Sequence, residues 1–94
     1  MAALTDQYLY ANITTNATTV VKHVPGKLHS IVVNTVSASS NTCTIYDNTA
    51  GSGTKIGTLS TLTAGTYLYD VMFNTGLTIV TATGTAPDIT VCYA

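Results

Sequence analysis

Threonine is the feature of this sequence that most restricts its fold. The chain has 94 residues, of which 20 are threonine, 9 are valine and 6 are isoleucine. These β-branched side chains have restricted χ1 rotamers and suit the pleated surface of a sheet better than a helix. The chain also has no glutamate and no arginine, which are among the good helix formers. The sequence therefore predicts an all-β fold and argues against a helical bundle.

Fixed charge is scarce, and this restricts the classes of partner. Three lysines and four aspartates give a formal net charge of −1, and charged residues make up 7% of the chain. Nucleic-acid binding needs several Lys or Arg contacts to phosphates, which three scattered lysines do not supply. No apolar run approaches the roughly 20 residues of a membrane span, and Met1–Thr15 lacks the basic region of a secretion signal. We expect neither nucleic acid nor membrane as a partner, and low charge favours association with protein surfaces.

Turn-forming residues recur at short distances and divide the chain into strand-like segments. The apolar run Ile31–Val33 predicts a strand that is covered on both faces. A spacing of three between Ile56, Leu59 and Leu62 predicts a β-bulge, since Gly57 makes a helix unlikely there. About eight short strands predict a single-domain antiparallel β-sandwich, jelly-roll-like, over residues 1–94. The predicted strands are 7–15, 18–24, 27–36, 42–47, 55–62, 66–73, 77–82 and 88–93.

The beginning of the chain has no strand pattern. We expect residues 1–6 to form an N-terminal arm. A short helix over Ala3–Tyr10 is the alternative, because Leu4 and Tyr8 would lie one helical turn apart. No internal repeat or linker indicates a second domain.

The two cysteines are predicted to lie on different sides of their strands. Cys43 has the same parity as the apolar Ile45, whereas Cys92 has the opposite parity to its apolar neighbours. This arrangement argues against a mutual disulfide. Two free thiols that behave as small apolar side chains are the prediction.

The two histidines flank the turn signal Pro25–Gly26. A hairpin at this turn would place His23 and His29 on opposite faces. A metal site needs three or four convergent ligands, and neither histidine has others near it in sequence. We therefore assign no metal ligand.

No motif in the sequence indicates catalysis. The Gly-rich segment Ala50–Lys55 departs from a phosphate-binding loop, because Thr54 separates the last glycine from the lysine and no helical pattern follows. Asp47 is expected to cap a turn rather than to bind calcium. No serine, threonine or cysteine lies in a motif that would activate it as a nucleophile. We expect a protein that is not an enzyme, and we assign no catalytic residue and no cofactor.

Tyrosines are the remaining candidates for function. Tyr8 and Tyr10 share one parity near the N-terminus, and Tyr67 and Tyr69 share one side of a later strand. Such tyrosines either pack in the core or anchor an interface, since the ring is apolar and the hydroxyl is polar. Together with Leu4, they are the candidate residues of an interface with a partner protein or with further copies of the chain.

Three stretches of the chain carry a family resemblance. They are Gly26–Asn34 (GKLHSIVVN), Thr44–Ile56 (TIYDNTAGSGTKI), and Tyr69–Val71 leading to Gly76–Leu77. The chain resembles small structural proteins of tailed bacteriophages over residues 12–93. These are the β-sandwich modules that serve as capsid decoration (cement) proteins and in head or tail fibres.

The resemblance implies a virion component on the capsid surface, made in the host cytoplasm. Its partners would be the major capsid protein and further copies of itself, in a symmetric oligomer such as a trimer. Such a protein binds the outer surface of the shell and stabilises the head. The alternative is a head-fibre or tail module that binds a host surface or a glycan. A small hydrolase or metal-dependent enzyme is the third alternative, and it needs clustered carboxylates and histidines that the sequence does not display.

Overall fold

The computed structural model describes residues 8–38 and 40–94, and it has eight β-strands in these ranges. Each strand begins and ends within two residues of its predicted bounds, so the all-β prediction is confirmed. Within the described ranges no helix is long and apolar enough to cross a membrane. The strands are β1 (Leu9–Ile13), β2 (Thr18–Lys22), β3 (Gly26–Thr35), β4 (Thr42–Asp47), β5 (Thr54–Ser60), β6 (Gly65–Phe73), β7 (Leu77–Ala82) and β8 (Asp88–Tyr93).

The strands form two antiparallel sheets of four. Sheet A has the order β1-β8-β3-β6 and sheet B has the order β2-β7-β4-β5. The pairs β1–β8, β2–β7, β3–β6 and β4–β5 are nested, as if one long hairpin were rolled up. The pairs β3–β8 and β4–β7 complete the two sheets. This order is that of a jelly roll, and it confirms the predicted sandwich.

The core lies between the two sheets, where the inward-facing residues of both meet. Phe73, at the end of β6, is the largest of the fully buried side chains. Each fully buried apolar side chain of this size contributes about 1.5–3 kcal/mol to folding. Packing between the two sheets therefore supplies most of the stability. The residue types on the two outer faces can differ without loss of the core. The buried apolar residues are Ile13, Leu28, Ile31, Val33, Cys43, Ile45, Leu59, Phe73, Leu77, Ile79, Ile89 and Val91.

The predicted hairpin around Pro25–Gly26 is wrong. β2 pairs with β7 in sheet B, whereas β3 pairs with β6 and β8 in sheet A. The turn therefore carries the chain from one sheet to the other. A Pro-Gly signal marks a change of direction, but it does not determine whether the flanking strands pair.

The alternative of a helix over Ala3–Tyr10 is wrong at its C-terminal end. Leu9 and Tyr10 lie in β1, opposite Tyr93 and Cys92 of β8. The predicted arm over residues 1–6 lies outside the described residues.

The predicted bulge in β5 is confirmed. Ile45 lies opposite Gly57 and the next residue, Tyr46, lies opposite Lys55, so Ile56 is the extra residue. The predicted cover on both faces of Ile31–Val33 is wrong for one face. Val32 is only half-buried, because none of the described strands and loops forms a layer over the outer face of sheet A.

Candidate interaction face

The outer face of sheet A carries the most exposed large apolar side chains of the described residues. Met72 is 77% exposed, Tyr10 is 73% exposed and Leu68 is 67% exposed. In the register of the sheet, Tyr10 lies opposite Cys92, Cys92 opposite Ser30, and Ser30 opposite Leu68. Residues directly opposite each other share a face. One row therefore crosses all four strands, with a large apolar side chain at each edge.

A second row runs beside the first. Lys27 lies opposite Met72 and exchanges two backbone hydrogen bonds of 2.8 Å with Ala94 at the end of the chain. The Lys27 ammonium donates a hydrogen bond of 3.2 Å to the hydroxyl of Tyr8, the residue that precedes β1. These two rows form one continuous surface on sheet A. We call it the aromatic face, and it consists of Tyr8, Tyr10, Lys27, Leu68 and Met72.

A histidine connects the two edges of the aromatic face. The His29 ring stacks on the Tyr8 ring, with centroids 4.2 Å apart and planes inclined by 9°. Its Nδ1 atom lies 2.5 Å from the Asp70 carboxylate on β6. Asp70 has a φ of 49°, a left-handed conformation that aspartate adopts more readily than most residues. An exposed pair of this kind contributes only about 0.2–1 kcal/mol, so it orients the side chains more than it stabilises the fold.

The aromatic face and its neighbours carry both signs of charge. The hydrogen bond from Lys27 to the Tyr8 hydroxyl raises the pKa of Lys27, and the Asp70 carboxylate adds to this rise. Lys27 is therefore charged at neutral pH. Its ammonium also lies 5.3 Å from the centroid of the Tyr8 ring, within the range of a cation–π contact.

The structure separates the candidate interface residues into two groups. Tyr8 and Tyr10 lie on the aromatic face. Tyr67 and Tyr69 are half-buried and pack against the core, and burial raises the pKa of Tyr69. These two tyrosines therefore fill the space between the sheets rather than the face that holds Tyr8 and Tyr10. Leu4 lies outside the described residues.

Sequence reasoning did not assign Leu68, Met72 or the charged residues of this face to a site. The alternation of β6 contains a signal for the first two, because they occupy the positions opposite in parity to the tyrosines. No such signal joins Lys27 to Tyr8, which are 19 residues apart in sequence. Their contact depends on β8 lying between β1 and β3.

The outer face of sheet B is different in chemistry. One row across this sheet contains Thr18, Val80, Thr44 and Thr58. A Cβ atom added to Gly51 would lie 2.9 Å from a Val80 methyl group, so the loop between β4 and β5 packs closely over that valine. Hydroxyl groups are exposed in this row and in the neighbouring row of Thr42 and Ser60, whereas another row of the same face holds half-buried Val20 and Tyr46 and exposed Lys55. We call this surface the threonine face, and it consists of Thr18, Thr42, Thr44, Thr58 and Ser60.

Asp47 at the end of β4 caps a turn, as predicted, but the turn is the one between β6 and β7. The backbone amides of Asn74 and Thr75 donate hydrogen bonds of 2.9 and 2.8 Å to its carboxylate. The amide of Gly76 adds a longer contact of 3.4 Å. These donors favour the ionised carboxylate and lower the pKa of Asp47.

Both cysteines are free, which confirms the prediction that they do not form a disulfide. Cys43 is fully buried, and burial raises the pKa of its thiol to about 11. Cys92 is half-buried in the row of Tyr10. His23 is exposed on the connection between β2 and β3. In the described part of the chain, no three histidine, cysteine or acidic side chains come together to hold a metal.

These observations define the class of protein as an eight-stranded jelly-roll sandwich with one exposed apolar face and one hydroxyl-rich face. Comparisons of the chain with protein-family models, with curated proteins and with solved structures find no match. The fold and the aromatic face are therefore the observations that bear most directly on function.

Proposed function

We propose that the protein is a non-enzymatic capsid decoration (cement) protein of a tailed bacteriophage. It binds the outer surface of the major capsid shell as an oligomer and stabilises the head. The observation that carries this proposal is the aromatic face, with three large apolar side chains at least 67% exposed on one open sheet. Burying apolar surface contributes about 25 cal/mol of favourable free energy per Å². An exposed face of this kind therefore indicates a protein that functions inside an assembly.

The distribution of charge supports the same proposal. Charged residues are only 7% of the chain. Apart from Lys27 and Asp70, which lie on or beside the aromatic face and have opposite signs, such a surface has few ions, so most of a contact can form without the large desolvation penalty of buried charges.

A module of this kind would stabilise a head by adding interface area. Packaged DNA pushes the shell outward, and neighbouring capsomers separate only if every contact across their seam breaks. Each decoration oligomer that spans a seam adds buried area that must be lost first. The sandwich suits this role because its strand pairs join residues far apart in sequence, and unfolding must break these non-local pairs.

A second candidate is a head-fibre or tail module that binds a host surface or a glycan. Tyr10 favours it, since this residue is 73% exposed on the outer face of sheet A. Sugars stack on flat aromatic surfaces of this kind, and the hydroxyl can add a hydrogen bond. Such a module would be present in few copies per particle.

Copy number tests the proposal. Quantitative mass spectrometry of purified particles would compare this chain with the major capsid protein. A ratio near a simple fraction of the shell's copy number is the expected result. A handful of copies per particle would contradict decoration and favour the fibre or tail module. Absence from particles would contradict both.

A further inference from the structure

We infer that the aromatic face is a self-association surface, on which a second copy of the chain packs about a two-fold axis parallel to the strands of sheet A. This inference adds the surface through which copies join, which the proposed function leaves open. It also holds for the free protein, so it can fail or succeed separately from decoration.

The order of the strands determines which side chains would meet. An axis parallel to the strands reverses the strand order, so β1 of one copy lies over β6 of the second copy. Tyr10 then faces Leu68 of the second copy, and Tyr8 faces Met72 of the second copy. Each contact occurs twice, as in any isologous interface. Aromatic rings would cover the exposed aliphatic and thioether groups, a favourable combination for tyrosine and methionine.

The charges on the face agree with this axis. The Lys27 ammonium reaches across β8 to Tyr8, on the β1 side of the sheet, whereas Asp70 lies on β6. Placing β1 over β6 therefore brings the Lys27 ammonium of each copy towards the Asp70 carboxylate of the other. Electrostatic complementarity of this kind fixes the register of an interface.

The other two-fold axis in the plane of the face is disfavoured by the same charges. An axis perpendicular to the strands would place β6 over β6, and it would bring the two Asp70 carboxylates together. Like charges brought together in an interface are unfavourable. The threonine face has no comparable exposed apolar surface, because its exposed side chains are hydroxyl-bearing and the loop at Gly51 packs over Val80.

Sedimentation of the full chain over a range of concentrations tests the pairing. The natural chain is expected to show a monomer–dimer equilibrium. Leu68→Lys buries a charge in the interface and should raise the dissociation constant about 30-fold or more. Leu62→Lys is the matched control, since Leu62 is 53% exposed but lies between β5 and β6 rather than on the aromatic face. It should change the constant by no more than about twofold.

A second pair of variants tests the charges. Lys27→Met keeps the aliphatic stem and removes the ammonium. Asp70→Asn removes the carboxylate with a residue that also tolerates a left-handed φ. Each should weaken pairing about 5- to 10-fold, and the double variant should weaken it little further, because both remove the same contact. Thermal unfolding of each variant checks that the fold is intact.

The outcomes separate this inference from the proposed function. A chain that is monomeric at every concentration, or trimeric, would overturn the pairing. A dimer that Leu68→Lys leaves unchanged would overturn it as well. A monomer present in particles at the copy number of decoration would assign the aromatic face to the shell protein instead. A dimer absent from particles would support the pairing and contradict decoration.

Discussion

The two outer faces of this sandwich come from the same strand pattern but differ in what they offer a partner. The aromatic face presents Tyr10, Leu68 and Met72 at exposures of 67 to 77%. The threonine face presents hydroxyl groups, and its one central valine, Val80, lies beneath a loop. Both sheets contribute inward residues to one core, so folding does not require the two outer faces to differ.

This contrast shows which positions of a small sandwich are available for assembly. Packing restricts the residue types at inward positions, because replacing a large core side chain by a small one lowers the free energy of unfolding by several kcal/mol. Outward positions have no such constraint, and threonine is a neutral choice for a solvated strand. Large apolar residues at outward positions of one sheet therefore indicate a surface that is covered in the working state.

The two thiols give the largest expected contrast between the inside and the aromatic face. Cys92 lies half-buried on that face, and Cys43 is fully buried with a raised pKa of about 11. With a disulfide reagent at neutral pH, Cys92 should react in native protein that is dilute enough to be monomeric. Cys43 should react only through unfolding, which slows it by about 10³-fold or more. Mass spectrometry of the labelled peptides measures both rates, and equal rates would contradict the described core.

A lysine on each face gives the next largest contrast. Met72→Lys, on the aromatic face, should raise the dissociation constant of the pair by about 30-fold or more. Thr58→Lys, on the threonine face, should leave it within about twofold. Analytical ultracentrifugation measures both. If the two substitutions weakened pairing equally, the faces would not differ in the way described here.

The turn between β6 and β7 gives a smaller effect. Asp47→Ala removes the acceptor for the amides of Asn74 and Thr75, and it should lower the free energy of unfolding by about 1 kcal/mol, since the carboxylate is partly open to water. Asp47→Asn retains an acceptor oxygen and should lose less. Urea unfolding at pH 7 measures the difference.

The same carboxylate predicts a pH dependence. The pKa of Asp47 is lower in the folded protein than its ordinary value, so the unfolded chain binds the proton more readily. The contribution of Asp47 is therefore present at neutral pH and is lost as the pH falls through the lowered pKa. The gap in stability between the natural chain and Asp47→Ala should close in acid. A gap that stayed constant with pH would contradict the ionised cap.

Single changes on the threonine face should have the smallest effect. Thr44 and Thr58 lie outward, opposite each other in β4 and β5. Thr58→Ala or Thr44→Val should change the free energy of unfolding by no more than about 0.5 kcal/mol. Thermal or urea unfolding measures this, and a loss above 2 kcal/mol would show that this face is packed.

Much of this fold could be predicted from the sequence, because the relevant signals are local. Turn residues separate strands, and the spacing of Ile56, Leu59 and Leu62 indicated the bulge in β5. The pairing of the strands could not be predicted. A turn signal such as Pro25–Gly26 is the same whether the flanking strands form a hairpin or lie in different sheets. The aromatic face was only half found for a similar reason. Tyr8 and Tyr10 can be recognised in the sequence as a local pair. Lys27 lies near them only in the folded structure, where β8 is between β1 and β3.

Oxidation of Met72 shows directly whether the aromatic face is covered in the assembled state. The thioether is on a residue that is 77% exposed in the single chain, so dilute free protein should form the sulfoxide readily in hydrogen peroxide. In purified particles, the same peptide should be protected at least about tenfold. Oxidation at the same rate in particles and in dilute protein would show that the face stays open, and it would contradict this account.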